Sequence, residues 1–321
     1  SRVTRAVSCS MWCCCKQESL DSNEAPQERG RQHKAAYQEE LIPRVSVFSV
    51  STAASGVTAS SLNDLVQLGE QALDGGARYT GQWRGQNQHG HGFMQMADGK
   101  STYEGSFENS LAQGHGAWKD ACGSRYDGQW VKGMKHGYGR DVHFDGTVYA
   151  GEWDSDLKTG RGKEVWADNS EYSGAFLAGC KHGVGMYKCL DGHGREFSYE
   201  GEWSRDEMHG DGLYTFGDGR QYDGQFQGGR MSGCGNVQFP NGSRYEGCFD
   251  GGQMNGEGTF TSAEGPKFHG FWEEGCLAAS GVVVSQQGTM AKTVGQTRCA
   301  GPSALPSQEK PWRRLTRLIH N

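Results

Sequence analysis

The sequence lacks the features of membrane-spanning, collagen-like and proline-rich proteins. It has 7 prolines, and its 51 glycines among 321 residues do not follow the three-residue period of collagen. No apolar run approaches the roughly 20 residues that a transmembrane helix needs. The hydrophobic fraction of 35% and the mean hydropathy of -0.74 are low for one large globular core. These absences favour a chain that buries apolar surface in many small portions.

Catalytic and cofactor motifs are also missing. The Gly-x-Gly steps of the chain are never extended to Gly-x-Gly-x-x-Gly, which excludes a dinucleotide fingerprint. Gly99-Lys100-Ser101 resembles the end of a P-loop, but Met94 stands where that motif requires glycine. His89 and His91 have no third ligand at metal spacing. The sequence therefore predicts no catalytic residue, no cofactor and no metal, and hence a protein that is not an enzyme.

Cysteine and basic charge are distributed in a way that excludes two further classes. Eleven cysteines form no spaced framework, which indicates reduced thiols in a cytoplasmic protein. Residues 77–277 hold 19 Lys and Arg against 28 Asp and Glu, whereas residues 278–321 hold 6 against 1. Binding to a nucleic-acid backbone requires clustered cations. An acidic central region therefore argues against nucleic acid as a partner.

The sequence has a repeat instead. An aromatic-led phrase returns nine times at intervals of 23 to 27 residues, and the first eight copies open a Gly-x-Gly step 11 residues after the tyrosine. A fixed period of about 20 to 50 residues is the mark of stacked repeats. The aromatic positions that we expect to build the core are Tyr79, Trp83, Tyr103, Phe107, Tyr126, Trp130, Tyr149, Trp153, Tyr172, Phe176, Tyr199, Trp203, Tyr222, Phe226, Tyr245 and Phe249, and Phe268 begins a degenerate ninth copy.

Within one repeat, the alternation of side chains predicts strands. In Tyr126–Trp130 the two rings and the central glycine share one face, and the glycine is expected to leave a gap for an aromatic ring of the next hairpin. Gly133 and the His136-Gly137-Tyr138-Gly139 step are expected to reverse the chain, with the histidine in a structural turn role. Asp145-Gly146 predicts a two-residue turn. The predicted fold is all-β: an elongated single-layer antiparallel sheet of stacked β-hairpins, with short flanking helices.

These phrases resemble the MORN (membrane occupation and recognition nexus) repeat, whose pattern is close to Y-x-G-x-W-x-x-G-x-x-H-G-x-G. The resemblance spans about residues 77–277, or about nine repeats, and is cleanest from Tyr126 to Asp145. It implies a hairpin solenoid and a non-catalytic scaffold or adaptor that binds cytoskeletal or membrane-associated proteins. It leaves open an alternative, the regulatory MORN-repeat portion of a longer enzyme similar to a phosphatidylinositol 4-phosphate 5-kinase.

Charged residues in the repeats predict the character of the exposed surface. A stripe of carboxylates on one face would repel anionic lipid headgroups, so it is either a solvated face or a docking strip for a basic partner. The outward acidic positions are Glu104, Asp127, Glu152, Glu200, Glu202, Asp223 and Glu246. Cations near the hairpin ends are expected to form a basic edge patch, made of Lys132, Lys135, Lys158, Arg161, Lys163 and Lys181.

The flanking segments carry the remaining expectations. Residues 1–59 are predicted to be a disordered tail in which Cys13, Cys14 and Cys15 are either S-acylation sites or unmodified thiols. Residues 60–76 carry an apolar helical period that predicts an amphipathic capping helix. Residues 278–321 are predicted to be a degenerate cap and a basic tail, which either is disordered or contacts an anionic membrane or a partner through Trp312, Arg313, Arg314 and Arg317. A homodimer through strand edges and a peripheral membrane or cytoskeletal location are further expectations.

Overall fold

All regular elements that the structure describes are β-strands. The computed structural model describes residues 64–190, 193–278, 282–284 and 290–291, and none of these residues forms a helix that could cross a membrane. The strands are β1 Leu65–Ala72, β2 Arg78–Arg84, β3 Asn87–Gln95, β4 Thr102–Glu108, β5 Leu111–Lys119, β6 Arg125–Val131, β7 Met134–Val142, β8 Val148–Asp154, β9 Leu157–Val165, β10 Glu171–Leu177, β11 Cys180–Leu190, β12 Glu196–Ser204, β13 Glu207–Thr215, β14 Gln221–Gln227, β15 Arg230–Gln238, β16 Arg244–Asp250, β17 Gln253–Thr261, β18 Lys267–Glu273, β19 Cys276–Leu277, β20 Val282–Val284 and β21 Met290–Ala291.

The chain forms two compact units. Of the described residues, the N-terminal unit contains 64–187 and 201–207, and the C-terminal unit contains the rest. In the N-terminal unit, each of the strands β1 to β9 pairs antiparallel with the next strand along the chain. In the C-terminal unit the same holds from β13 to β17, and the far edge of β18 is covered by β19 and β20. The predicted all-β fold of consecutive antiparallel hairpins is confirmed.

Each hairpin reverses through a tight two-residue turn. Between β6 and β7 the turn residues are Lys132 and Gly133, with φ angles of 51° and 78°. Two successive positive φ values are typical of a type I′ turn, whose twist matches that of the flanking strands. The Asp145-Gly146 step lies instead in the longer connection between β7 and β8, residues 143–147. The prediction that Asp-Gly forms the two-residue turn was therefore wrong.

The Gly-x-Gly step of each repeat forms a β-bulge inside a strand. In β7 the φ angle of Gly137 is 59°, and the register between β6 and β7 shifts between Gly128 and Gln129. Gly137 and Tyr138 are thus two extra residues of β7 that have no register partner in β6, and such extra residues bend a strand. The expectation that this step reverses the chain was wrong, because the positive φ of Gly137 serves the bulge. The motif histidine, His136, precedes the bulge within β7 and does not form a turn.

The buried core of each unit is a ladder of aromatic rings. Seven tyrosines of the ladder each meet the ring four residues later in their own repeat and the corresponding ring of the next repeat, both edge to face: Tyr79, Tyr103, Tyr126, Tyr149, Tyr172, Tyr222 and Tyr245. Tyr126, for example, lies 5.1 Å from Trp130 and 5.5 Å from Trp153, at interplanar angles of 89° and 88°. Edge-to-face pairs add about 0.5 to 1.5 kcal/mol beyond the burial of their area. All sixteen aromatic residues expected to build the core are buried.

Paired glycines provide the space that the tyrosine rings occupy. Gly128 faces Gly139 across β6 and β7, and the ring of Tyr126 lies over this pair and donates a hydrogen bond from its hydroxyl to the carbonyl of Gln129 at 3.0 Å. A Cβ on Gly139 would stand 2.3 Å from the Tyr126 hydroxyl oxygen. The gap predicted above the glycine is therefore filled by the repeat's own tyrosine. The ring of the next repeat packs beside it.

Tryptophan in the ladder carries a hydrogen bond that phenylalanine cannot make. The indole Nε1 of Trp130 donates to the carbonyl of Gly116 in the preceding repeat at 2.9 Å, and Trp272 does the same to Gly258 at 3.1 Å. Trp83 is buried, but its Nε1 has no partner among the described residues. Its preceding strand, β1, shifts register between Leu68 and Gln71. We infer that this irregularity removes the acceptor.

The predicted capping helix at residues 60–76 was wrong, because its described part forms strand β1. The registers Val66↔Trp83 and Gln67↔Gln82 show that this segment pairs with β2. An uncovered strand presents a row of unpaired backbone groups. Pairing satisfies those groups of β2, whereas a helix of about ten residues is marginal by itself. The segment therefore forms a strand that pairs with the edge of β2, although its leucines follow a helical period.

The ladder predicts that the fold weakens at alkaline pH. Burial raises the pKa of Tyr79 to about 12 and that of Tyr245 to about 12, and it raises the pKa of Tyr126 and Tyr222 as well. Because unfolded tyrosine ionises near pH 10, the stabilisation is complete below about pH 10 and is lost as the pH rises to about 12. Urea midpoints measured across this window should fall steeply. A Tyr79→Phe and Tyr245→Phe double variant should lose less across the window, and an equal loss would contradict the assignment.

Candidate functional site

The surface available to a partner is the outer face, which we define as the side chains that point away from the aromatic ladder. Its central row can be followed from strand to strand because the registers are known. In the N-terminal unit the row consists of Thr80, Phe93, Glu104, Ala117, Asp127, Arg140, Ala150, Lys163 and Ser173. In the C-terminal unit it consists of Leu213, Asp223, Asn236, Glu246, Thr259 and His269.

Charge on the outer face differs between the two units. In the N-terminal unit Asp127 faces Arg140 directly, and Lys163 follows in the same row. In the C-terminal unit Asp223 and Glu246 face only neutral neighbours in that row. All seven predicted outward carboxylates are exposed. Cations therefore interrupt the acidic stripe in the N-terminal unit. The sequence of the first strand of each repeat alone did not indicate this interruption.

Some outer-face polar residues have a structural role that the sequence did not reveal. The side-chain oxygen of Gln82 accepts a hydrogen bond from the backbone N–H of His91 at 2.8 Å, and Glu152 accepts one from Arg161 at 2.8 Å. Both donors belong to bulged Gly-x-Gly steps, where the backbone N–H lacks its regular partner on the neighbouring strand. The signal that could have found them is a Gln or Glu three residues after the tyrosine. Glu152 is therefore only in part a free surface charge.

Three lysines that were expected on a basic edge lie on the inner face instead. The Nζ of Lys135 is 4.8 Å from the ring centroid of Tyr126 and bonds the carboxylate of Asp141 at 2.5 Å. Lys158 pairs with Glu164 in the same way, and Lys181 lies within 4.5 to 5.8 Å of four rings. The edge-patch prediction was wrong for these residues, because their aliphatic stems pack over rings and their charges are met by carboxylates and π faces.

We expect the Lys135–Asp141 pair to be replaceable only as a pair. Lys135→Met alone should cost about 1 to 2 kcal/mol, because it leaves the largely buried carboxylate of Asp141 without its partner. The double variant Lys135→Met with Asp141→Val copies Met231 and Val237 of a later repeat, and it should unfold at a urea concentration close to that of the wild type or above it. A double variant as unstable as the single one would contradict this expectation.

A cleft of about 890 Å³ opens on the outer face of the N-terminal unit. Phe93 and Phe144, both exposed, belong to its lining together with the aliphatic side chains of Ala117 and Val142. Its charged lining residues are Glu104, Lys119, Arg125, Asp127 and Arg140. The cleft therefore joins apolar contact surface to charges of both signs, which is the composition of a protein-binding surface.

The described residues give no support to metal chemistry, and several predicted positions lie outside them. Within the ranges that the structure describes, no three His, Cys, Asp or Glu side chains are grouped to hold a metal ion. His89 is partly buried, and its Nδ1 has no hydrogen-bond partner there. The candidate acylation sites Cys13, Cys14 and Cys15, and the candidate contact residues Trp312, Arg313, Arg314 and Arg317, fall outside the described residues.

Two solved structures resemble this chain only at low identity and low TM-score. A SAS-4 (dCPAP) TCP domain of Drosophila melanogaster, in complex with a proline-rich motif of Ana2, is 10% identical over 50% of this chain and 85% of that chain, with a TM-score of 0.30. The TCP10 domain of Danio rerio CPAP, in complex with a peptide of STIL, is 11% identical over 71% of this chain and 98% of that chain, with a TM-score of 0.28. No curated protein matches the sequence.

The family comparison is decisive, because it matches the repeats themselves. The model of the MORN repeat matches residues 79–101, 103–121, 126–140, 149–171, 172–194, 199–219, 222–244 and 245–266. All eight segments begin at a ladder tyrosine with its paired glycines, and together they cover more than half of the sequence. The chain therefore belongs to the MORN repeat family.

Proposed function

We propose that this chain is a non-catalytic cytoplasmic scaffold that binds other proteins through its outer face. The observation that carries the proposal is that the inner face is packed with rings whereas the outer face is open to solvent. The inner face is filled by the ladder, whereas the outer face leaves large apolar side chains exposed, such as Phe93, Phe144 and Tyr138, the last of which is 64% exposed. Exposed aromatic residues beside polar groups are enriched in protein interfaces.

The charge pattern favours proteins over a flat anionic surface as the partner of this face. Membranes and nucleic acids present negative charge uniformly. The outer row of the N-terminal unit places Glu104 and Asp127 next to Arg140 and Lys163, so about half of its charges would be repelled. A folded or extended protein can instead match each charge separately.

Proximity labelling of the full chain in its own cells tests the proposal. The wild type is compared with a Phe93→Lys and Tyr138→Lys variant, whose changes lie on the outer face and spare the ladder. We expect a specific set of neighbours labelled by the wild type to be lost in the variant, with an unchanged unfolding midpoint. An identical set of neighbours in both chains would remove the outer face as the binding surface.

Membrane or cytoskeletal attachment is a separate part of the proposal and rests on the tails. The carboxylates of the outer face are unfavourable for contact with anionic headgroups. We therefore propose that contact with membranes is made by acylated Cys13, Cys14 and Cys15 or by the basic tail at Arg313, Arg314 and Arg317. Flotation of the full chain with anionic vesicles should be lost after Cys→Ser and Arg→Glu changes at these positions. Equal flotation of that variant would assign lipid contact to the repeats.

A further inference from the structure

Two cations face each other across neighbouring strands at one edge of the cleft. Lys119 of β5 is the direct cross-strand partner of Arg125 of β6, and both side chains are exposed on the outer face. Arg140 of β7 lies diagonal to Arg125, two residues from Val142, which is the direct partner of Arg125. Within residues 64–278 apart from 191 and 192, none of the three forms an ion pair or a side-chain hydrogen bond. Three exposed cations therefore lie close together here: Lys119 and Arg125 face each other, whereas Arg140 faces Asp127.

This arrangement is unfavourable for the fold itself. Like charges directly opposite in an antiparallel pair destabilise the sheet. Equivalent positions between other hairpins avoid it, since each pair holds at most one charged residue: Gln95 with Thr102, Val142 with Val148, Val165 with Glu171, Thr215 with Gln221, Gln238 with Arg244, and Thr261 with Lys267. A local arrangement that opposes stability is expected where it serves binding.

We propose that the cleft binds an acidic peptide segment of a partner protein. Carboxylates of the peptide meet Lys119, Arg125 and Arg140, and apolar side chains of the peptide pack against Phe93 and against Phe144. The volume of about 890 Å³ accommodates a few side chains of an extended segment. Guanidinium groups suit carboxylates because they offer paired donors in a fixed plane. The proposal rests on the proposed function, to which it adds the chemistry of the partner.

The acidic residues of the same lining decide between a peptide and a membrane. The carboxylate of Asp127 lies 3.3 Å from Nε2 of His115. Glu104 lies two strands away in the same row, with Ala117 between Glu104 and Asp127. A broad anionic surface laid on this face would press against both carboxylates. A narrow peptide places its charges on the cations alone.

Selection of random displayed peptides on the full chain tests the inference. Wild-type protein should enrich peptides that carry several Asp or Glu and at least one large apolar residue. An enriched peptide, labelled with fluorescein, should bind Lys119→Glu at least about tenfold more weakly than the wild type by anisotropy. The same change should raise the melting temperature by about 1 to 3 °C, because it replaces repulsion by attraction to Arg125. Weaker binding with higher stability separates a binding role from a structural one.

Arg161→Glu is the matched control, since it makes the same charge change on the outer face outside the cleft lining. It should change affinity less than about twofold. Equal loss in both variants, enrichment of basic peptides, or no enrichment would overturn the inference. Enrichment that appears only after deletion of residues 1–63 would also overturn it, because the cleft would then bind the chain's own N-terminal segment. Vesicle flotation that Lys119→Glu abolishes would overturn it as well, because the cleft would then bind a membrane. In each case the proposed function still stands if the outer-face variant loses its labelled neighbours.

Discussion

Replacement of Trp130 by alanine should lower the free energy of unfolding of the N-terminal unit by about 3 to 5 kcal/mol. Trp130 is only 2% exposed and packs edge to face against Tyr103 and Tyr126, at 5.3 and 5.1 Å. Its loss would empty one position of the ladder and leave the carbonyl of Gly116 without its indole donor. Because the two neighbouring tyrosines belong to successive repeats, the cavity would loosen two hairpins. Urea unfolding followed by tryptophan fluorescence measures the effect.

Matched variants separate the contribution of the ring from that of the hydrogen bond. Trp130→Phe keeps an aromatic ring, as Phe107 and Phe176 do in neighbouring repeats, and should cost only about 1 to 2 kcal/mol. Trp83→Phe should cost less than that, because Nε1 of Trp83 has no partner to lose. Tyr138→Ala on the outer face should change stability by less than about 0.5 kcal/mol. A cost for Trp130→Ala no larger than that for Tyr138→Ala would show that the ladder is not the core.

Substitution of Gly139 by alanine should destabilise the same unit by about 3 kcal/mol, although it adds only one methyl group. The new Cβ would lie 2.3 Å from the Tyr126 hydroxyl oxygen and 2.5 Å from its ring carbons. Relief requires the ring to move, which breaks its hydrogen bond to Gln129 and its contacts with Trp130 and Trp153. The same crowding is repeated at every tyrosine-led hairpin, at Gly92, Gly116, Gly162, Gly185, Gly212, Gly235 and Gly258.

Gly69→Ala is the control for this substitution. Gly69 lies in β1, has no positive φ, and a Cβ there meets nothing within 4 Å. Its replacement should leave the urea midpoint unchanged or raise it slightly, because alanine reduces the entropy of the unfolded chain. If Gly139→Ala were tolerated as well as Gly69→Ala, the glycines would be retained for chain flexibility rather than for the space that the rings need.

The sequence was sufficient to predict the repeat, its all-β character and the face that carries the rings. Two periods carry this prediction: the period of two within Tyr126–Trp130 and the period of 23 residues between phrases. Neither period depends on the conformation of the turns. The turn positions were not predictable in this way. A glycine with positive φ serves a turn at Gly133 and a bulge at Gly137, and the residue type is the same in both cases. Only the pairing of β6 with β7 distinguishes them.

The same limit explains which parts of the candidate site were missed. Each Gly-x-Gly bulge shifts the register by two residues, as between the pairs Gly128↔Gly139 and Gln129↔His136, and such a shift changes which residues face each other. The exposure of Asp127 followed from alternation along its own strand. The opposition of Lys119 and Arg125 depends on how β5 pairs with β6, so it required the register. The inward position of Lys135 follows from its pairing with Trp130 across β6 and β7, so it also required the register.

The pairing of each strand with its neighbour in the chain has a consequence for synthesis. From β1 to β10 each strand pairs with the next strand along the chain, so these pairings form between segments that are close in sequence. Folding rates fall as contacts become more remote in sequence. Each hairpin can therefore form on the ribosome against the one made just before it, and β1, which covers the first edge, is made before the edge that it protects.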